Sequence, residues 1–289
     1  MSLRIFYHQI RDFWNRYRRI PTALVGLIVV FSIVVLGLVG SGLSPHDPLE
    51  VAVGGPLRPP SLNFIMGTDD LGRDIFSGVL NGITISLAVG LAAAGTATAI
   101  GLLVGIVSGF YSGVDLVLMK IVEIFQVIPT FFLAIMISAI FGSSIINIIF
   151  IIAILSWPSI AKIARGEVLS LKEHEFVTAA RSCGYSNINI LFDEVLPNVL
   201  SSVVVAGTLA VSRAILIEST LSFFGFGDPM TMSLGYMLAN ANKLLRFAWW
   251  PAVFPGVVLS LIIWGLTMIG NGLNSTLNPR LHKKSIIIL

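Results

Sequence analysis

Ionisable side chains are concentrated in one stretch of the chain, residues 172–198, which lies between two apolar segments. A segment with this many charges cannot face lipid, so we expect it to lie in water beside a membrane. The charged residues in this stretch and just before it are Lys162, Arg165, Glu167, Lys172, Glu173, Glu175, Arg181, Asp193 and Glu194.

The same stretch predicts two short helices. A small apolar face recurs at helical spacing in the first: Phe176, Ala179, Ala180 and Cys183. Gly184 is expected to end this helix, and Asn187 to cap a second helix that runs toward Leu196. Two short helices bent at a glycine would form a compact plug outside the membrane.

No arrangement of residues in the sequence suits catalysis or metal binding. There is no Gly-Lys pair, hence no phosphate-binding G-x-x-x-x-G-K-[ST] loop, and there is no G-x-S-x-G turn. The histidines are scattered without a metal-binding spacing, and the single cysteine excludes both an internal disulfide and a cysteine-clustered metal site. We therefore predict that the chain is not an enzyme and binds no metal or cofactor of its own.

Composition indicates a membrane protein. Hydrophobic residues make up 55% of the chain, charged residues 11%, and the mean hydropathy is +0.91, whereas soluble domains carry about 25% charged residues. A net charge of +3 is too small to indicate nucleic acid binding. We predict an all-α polytopic fold with six transmembrane helices. The predicted spans are Thr22–Leu43, Ile83–Phe110, a third that follows Asp115 and ends at Phe141, Ile145–Ile163, Val199–Phe224 and Ala252–Leu273.

Two of these spans carry packing signals. In the third, Pro129 predicts a kink. In the second, small residues repeat every four positions and allow another helix to approach closely, within this chain rather than in another subunit. Those small residues are Ala93, Ala97, Gly101, Gly105 and Gly109.

Polar segments flank and connect the spans. Residues 1–21 predict an amphipathic helix on the membrane surface, with a basic juxtamembrane tail as the alternative. Residues 44–78 form a proline-rich loop, residues 225–250 a second long loop with a short helix at Ser233–Leu245, and residues 275–289 a basic tail. Thirteen Lys and Arg residues lie outside the membrane core on the side of the termini, against four on the other side. Both termini are therefore predicted to be cytoplasmic.

The first of the two outward loops ends in the string GTDDLGRD, residues 67–74. Thr68 is a plausible N-cap for the helix that follows. Asp69 and Asp70 would then lie in the first helical turn, where acids suit the helix dipole. Asp69 and Arg73 are four residues apart and are expected to pair.

These motifs resemble the permease subunits of ATP-binding-cassette importers, in particular the C-type subunit of the dipeptide, oligopeptide and nickel transport family. The charged stretch is similar to their EAA loop, with Thr178 where Glu is most often found, and residues 67–74 are similar to their GTDxLGRD signature. The resemblance covers residues 22–281 and implies a type I importer architecture with a permease core at 79–274 and a coupling loop at 164–198. It implies ATPase coupling through Glu175, Thr178, Ala179, Ala180, Gly184, Leu196 and Pro197, and an outward signature of Gly67, Thr68, Asp69, Gly72, Arg73 and Asp74.

The resemblance also implies partners. A homologous permease would form the translocation path with this chain, and two ATPase subunits would bind ATP and Mg. A solute-binding protein would dock on the outward loops. Peptides are the expected solute, with nickel complexes or oligosaccharides as alternatives, and the expected location is the plasma or inner membrane of a prokaryote.

Only two charges lie deep in the fifth span, Arg213 and Glu218. Both are candidates for the translocation path. Arg213 is expected in its outer half, where it could select carboxylate-bearing solutes, or to snorkel to the outer interface. Glu218 is expected nearer the surface, as an anchor toward a partner permease.

Two other classes of function remain as alternatives. An ion-coupled secondary transporter or channel would need paired ionisable groups near the midplane, but Arg213 and Glu218 point about 140° apart on a helix. A purely structural membrane scaffold would leave the outward signature and the charged stretch unexplained.

Overall fold

Long apolar helices form the body of the molecule. The computed structural model describes residues 11–42 and 44–277, and within them no β-strand occurs; the one isolated bridge joins Thr68 and Asp74. The helices are α1 (Pro21–Gly42), α2 (Ile75–Phe110), α3 (Ser112–Val127), α4 (Thr130–Phe141), α5 (Ile145–Lys172), α6 (Glu175–Ser182), α7 (Asn187–Phe223), α8 (Leu234–Asn242) and α9 (Trp250–Leu277).

Five helices, α1, α2, α5, α7 and α9, are long and apolar enough to cross a membrane, and α3 with α4 makes a sixth span if the pair is counted as one. The prediction of a kink at Pro129 was wrong in degree, because α3 and α4 are separate helices bent by 87°. Proline lacks the N–H that a helix needs and disfavours helical geometry in the residue before it. Ile128 accordingly has an extended backbone, with φ −83° and ψ 128°.

The small-residue stripe of the second span packs within the chain, as predicted. A Cβ added to Gly105 would lie 2.6 Å from the carbonyl oxygen of Ala161, and one added to Gly101 would lie 2.9 Å from that of Trp157. Ala97 is fully buried in the same contact. The stripe therefore sets the distance between α2 and α5, which contact each other along most of their length.

The remaining spans enclose this pair. Helix α7 packs against α2, α5 and α9, and α1 packs against α9 and α2. Residues 11–17 are helical, and Tyr17 is buried against the end of α9. The predicted amphipathic helix lies partly outside the described residues, as does the basic tail beyond residue 277.

Several helices are longer than their apolar sequence predicted. Helix α2 begins at Ile75 rather than Ile83, α5 continues nine residues past Ile163 into the charged stretch, and α9 ends at Leu277 rather than Leu273. Hydropathy locates the part of a helix that lipid covers, but the helix itself ends where its backbone is capped. The short helix α8 begins after Ser233, as predicted.

Candidate functional site

Helix α6 carries the small apolar face that the sequence predicted, and it ends at Gly184. The Tyr185 N–H donates to the Ala180 carbonyl at 3.1 Å, and the Gly184 N–H donates to the Arg181 carbonyl at 3.0 Å. Gly184 has φ +82°, which only glycine adopts at little cost. This is the Schellman motif, so the glycine closes the helix and redirects the chain.

Most of α6 is uncovered. Its one buried residue, Val177, is fully buried among the hydrophobic residues at the ends of α5 and α7, and Ala180 is partly buried beside it. Phe176, Ala179 and Cys183 are exposed. Since they lie three and four residues apart, they form one exposed face of the helix, on which Phe176 lies beside the ring of His174.

The predicted second short helix is instead the beginning of α7. Its N-cap is Ser186, whose hydroxyl accepts from the Asn189 N–H at 3.2 Å, and not Asn187. The segment Ile190–Val195 is π-helical and runs into Leu196–Phe223 without a break. A wider turn is thus inserted just before Pro197, which cannot donate a backbone hydrogen bond.

Exposed apolar side chains extend from α6 onto this turn. Tyr185, Ile188 and Phe192 are 52%, 60% and 59% exposed. The acids that surround them, Glu175 and Asp193, are also exposed. We call α6 and residues 183–196 the coupling segment. Its exposed surface is apolar with a charged rim, which suits contact with another protein.

Helix α5, which leads into α6, is joined to its neighbours by polar contacts that sequence reasoning missed. Arg165 donates from Nε and Nη2 to the two carboxylate oxygens of Asp115, both at 2.6 Å, and joins α5 to α3. Lys172 donates to the last carbonyls of α2, at Gly109 and Phe110. The contact of Lys172 could have been anticipated from the sequence only through its residue type, because basic side chains are favoured near helix C-termini.

The Glu167 carboxylate adds a third connection, because it accepts from the Ser202 hydroxyl at 2.9 Å and so joins α5 to α7. Together these contacts tie α2, α3, α5 and α7 to one another. Helix α6 itself is joined to the bundle by the buried side chain of Val177 and by the chain at its two ends.

The GTDDLGRD string forms a tight turn and not the first turn of a helix. The Asp69 carboxylate accepts from the Leu71 and Arg73 N–H groups, both at 2.9 Å, while the Arg73 side chain donates back to it at 2.6 Å. The predicted Asp69–Arg73 pair is confirmed. Gly67 and Gly72 supply positive φ values of 78° and 71°.

The N-cap of α2 is Asp74, and the prediction that placed it at Thr68 was wrong. The Asp74 carboxylate accepts from the Ser77 N–H at 3.1 Å and the Phe76 N–H at 3.4 Å. Thr68 is fully buried, and its hydroxyl donates to the Gly55 carbonyl at 2.6 Å. Both types of residue can cap a helix, so composition alone did not distinguish them.

This turn ties the two outward loops together. The Trp250 indole N–H at the start of α9 donates to the Thr68 carbonyl at 3.1 Å. Tyr236 of α8 lies beside the Arg73 guanidinium. Burial lowers the pKa of Arg73, but Asp69 and Tyr236 raise it by more, so the net shift of this pKa is upward and Arg73 stays charged. We call residues 67–74 with these partners the outward clamp.

Glu218 lies inside the bundle, and the expectation that it anchors the surface was wrong. It is 3% exposed, and its carboxylate accepts from the hydroxyls of Ser86, Ser219 and Ser222 at 3.1, 3.2 and 2.9 Å. Serines at these positions satisfy a buried carboxylate between α2 and α7. In this conformation Glu218 is not open to solute.

Arg213, by contrast, is exposed on the opposite side of α7. Among the described residues nothing accepts a hydrogen bond from its guanidinium. It borders a groove of about 200 Å³ formed by α4, α5 and α7. The two deep charges are therefore separated, as their spacing predicted.

The sequence of this chain matches known protein families over most of its length. Residues 97–283 match the binding-protein-dependent transport system inner membrane component, and residues 8–60 match the N-terminal transmembrane domain of oligopeptide transport permease C. The chain belongs to the binding-protein-dependent transport permease family. The first match alone covers more than half of this permease.

Curated relatives align with nearly the whole permease. The dipeptide transport system permease protein DppC of Bacillus subtilis is 33% identical over 94% of this chain and 86% of its own. The di/tripeptide transport system permease protein DppC of Pseudomonas aeruginosa is 33% identical over 96% and 94%. The glutathione transport system permease protein GsiD of Salmonella typhimurium is 38% identical over 94% and 90%.

A solved structure shares the fold. The MetNI methionine ABC transporter, in an inward-facing form, has a chain that matches 69% of this permease and 96% of its own length. The TM-score is 0.57 at 18% identity. At this identity the likeness concerns the fold alone, and it supports the all-helical permease architecture that the sequence predicted.

Proposed function

We propose that this permease is the membrane subunit of an ATP-binding-cassette importer that carries di- and oligopeptides into a prokaryotic cell. The observation that carries the proposal is the coupling segment: an exposed small-residue face on a short helix that packs on the bundle through Val177 and matches the EAA pattern. Three relatives named for peptide or glutathione transport, each aligned over more than nine tenths of this chain, favour peptides as the solute.

Two features support the partners in this proposal: the absence of a phosphate-binding loop from the sequence and the exposed face of α6. The sequence contains no phosphate-binding loop, so two separate ATPase subunits would bind ATP and Mg. The face of Phe176, Ala179 and Cys183 would lie in a groove on one of them. A homologous permease would supply the other half of the path, and a solute-binding protein would dock on the outward loops.

The mechanism in this proposal is a rigid displacement. When the ATPase subunits close, α6 would move with them and displace the adjoining end of α5, and the pairs Arg165–Asp115 and Glu167–Ser202 would carry the movement from α5 into α3 and α7. The outward clamp holds the outer ends of α2 and α9 at a fixed distance. The bundle would then tilt as one body, which opens the path alternately to each side.

Reconstitution tests this function directly. The permease, the second permease and the ATPase subunits are placed in proteoliposomes with the solute-binding protein, and uptake of a labelled dipeptide is compared with that of a nickel complex and an oligosaccharide. ATP-dependent uptake of the dipeptide is expected. Uptake of the nickel complex or the oligosaccharide alone would reject peptides as the solute, and uptake driven by an ion gradient without ATP would reject the importer class.

A further inference from the structure

The groove beside Arg213 differs from the other surfaces of the bundle in its polarity. Its polar lining consists of Arg213 on α7, Ser156 and Ser159 on α5, and Thr130 on α4. No acidic residue contributes to the lining. The cavity therefore offers one positive charge and three hydroxyl groups to whatever enters it.

These polar groups are unpartnered. Within residues 11–42 and 44–277, no hydrogen bond or ion pair involves the side chains of Arg213, Ser156, Ser159 or Thr130. Other hydroxyls in the spans commonly donate to the carbonyl four residues earlier, as those of Thr208 and Thr267 do at 2.9 and 2.7 Å. The donors of the groove are thus available to a ligand.

The groove also lies deep. Arg213 is ten residues from the outer end of α7 at Phe223, and Ser156 is eleven from the outer end of α5 at Ile145. At a rise of about 1.5 Å per residue, both lie about 15 Å below those ends, near the middle of a hydrocarbon core about 30 Å thick. A lipid-facing arginine at this depth would be costly, so this face should meet water or a polar partner.

A second groove, on α9, shows what an apolar surface of this bundle looks like. It is lined by Val253, Val257, Leu261 and Trp264, and its one hydroxyl, that of Ser260, donates to the Gly256 carbonyl at 2.8 Å. By contrast, α5 has a polar face that continues beyond the groove. Ser156, Ser159 and Lys162 lie along it at intervals of three residues. The Arg213 groove thus lies at the end of a polar track that leads to the cytoplasmic side.

We propose that this groove is a subsite of the translocation path that binds a carboxylate group of the solute. Arg213 would supply the charge, and Ser156, Ser159 and Thr130 would donate further hydrogen bonds, an arrangement that suits the planar oxygens of a carboxylate. The subsite rests on the permease function proposed above. A peptide meets its requirement because it carries a terminal carboxylate.

Uptake by the reconstituted complex tests the subsite with a dipeptide and its C-terminal amide as probes. Arg213→Ala should lower dipeptide uptake about tenfold, the effect of losing a hydrogen bond to a charged group, with partial recovery in Arg213→Lys. Amide uptake, complex assembly and solute-independent ATP hydrolysis should not change. Ser156→Ala should give a smaller loss, and Ser260→Ala, the matched control on the apolar groove of α9, should give none.

A second readout does not depend on the solute-binding protein. With Cys183→Ser as background, Ser156→Cys places a single thiol in the groove. Dipeptide should slow its reaction with a maleimide when Arg213 is present and should not do so in Arg213→Ala, while the amide should not protect in either.

The outcomes separate the two proposals. Dipeptide uptake by Arg213→Ala at the unmodified rate, or thiol protection that is independent of Arg213, would overturn the subsite and leave the importer intact. Equal loss for both probes together with poor assembly would also overturn it and would assign Arg213 to an acid of the second permease. Failure of the unmodified complex to import any peptide would overturn the proposed function itself.

Discussion

The outward clamp and the coupling segment are both short polar motifs turned by a glycine with positive φ, yet they use their side chains in opposite ways. In the clamp, Thr68, Arg73 and Asp74 are buried, and each has hydrogen-bond partners within the chain. In the coupling segment most side chains are exposed, and Val177 provides the buried contact of α6. A motif satisfied internally fixes the fold, whereas one left uncovered is available to a partner.

The largest loss of transport should come from adding a charge to the exposed face of α6. Ala179→Glu should reduce ATP-dependent uptake and solute-stimulated ATP hydrolysis about tenfold or more, because a carboxylate would be buried against the ATPase subunit. The isolated permease should keep its Tm, since Ala179 is exposed. Ala179→Ser is the matched control and should retain both activities.

Ala179 is a sharper probe than its neighbour Ala180, which is partly buried against the bundle. A charge at Ala180 would disturb packing within the chain as well as docking. Unchanged coupling in Ala179→Glu would contradict the assignment of this face to the ATPase.

Substitutions in the outward clamp should lower the stability of the permease rather than the coupling of ATP hydrolysis to uptake. Arg73→Ala should lower the free energy of unfolding by about 3 kcal/mol, because it leaves the Asp69 carboxylate, 13% exposed, without its partner. Lys120→Ala breaks another pair of a basic and an acidic side chain, Lys120–Glu123, whose members are 76% and 53% exposed. This substitution should have no measurable effect on stability. Thermal unfolding of the purified variants in detergent makes the comparison, and equal Tm values for the two would contradict the difference in burial.

Two glycines give a finer comparison between the regions. Gly67→Ala should destabilise by about 2 kcal/mol or more, because a Cβ there would lie 2.6 Å from the Arg58 carbonyl and 2.8 Å from the Trp250 ring, in addition to the strain of φ +78°. Gly184→Ala meets open space and should cost about 1 kcal/mol from φ +82° alone. The reverse order would show that the clamp is less tightly packed than its contacts indicate.

The sequence predicted the spans well because a helix that crosses the lipid needs about 20 consecutive, predominantly apolar residues. It also predicted the turn at Gly184, the packing of the small residues of α2 within the chain and the Asp69–Arg73 pair, since each depends on neighbours at fixed spacing. It failed where alternatives were chemically equivalent, as with Ser186 against Asn187 and Thr68 against Asp74, because tertiary contacts decide between two good caps.

Long-range partners could not be predicted from local pattern. Ser219 and Ser222 lie close to Glu218 in the sequence, but Ser86 is 132 residues away, and no local pattern shows that α2 would bring this third hydroxyl to the carboxylate. The bend of 87° at Pro129 could not be predicted from local pattern either. A proline predicts an interruption, but packing against the neighbouring helices sets the angle.

The most direct test of the central claim uses the single thiol of the chain. Cys183 is exposed at the end of α6, so a membrane-impermeant maleimide should label it in inside-out vesicles stripped of ATPase subunits. Adding the ATPase subunits back should protect it, and intact cells should remain unlabelled. Labelling from outside the cell would contradict the cytoplasmic placement of the coupling segment, and equal labelling with and without the ATPase subunits would contradict its role as their contact.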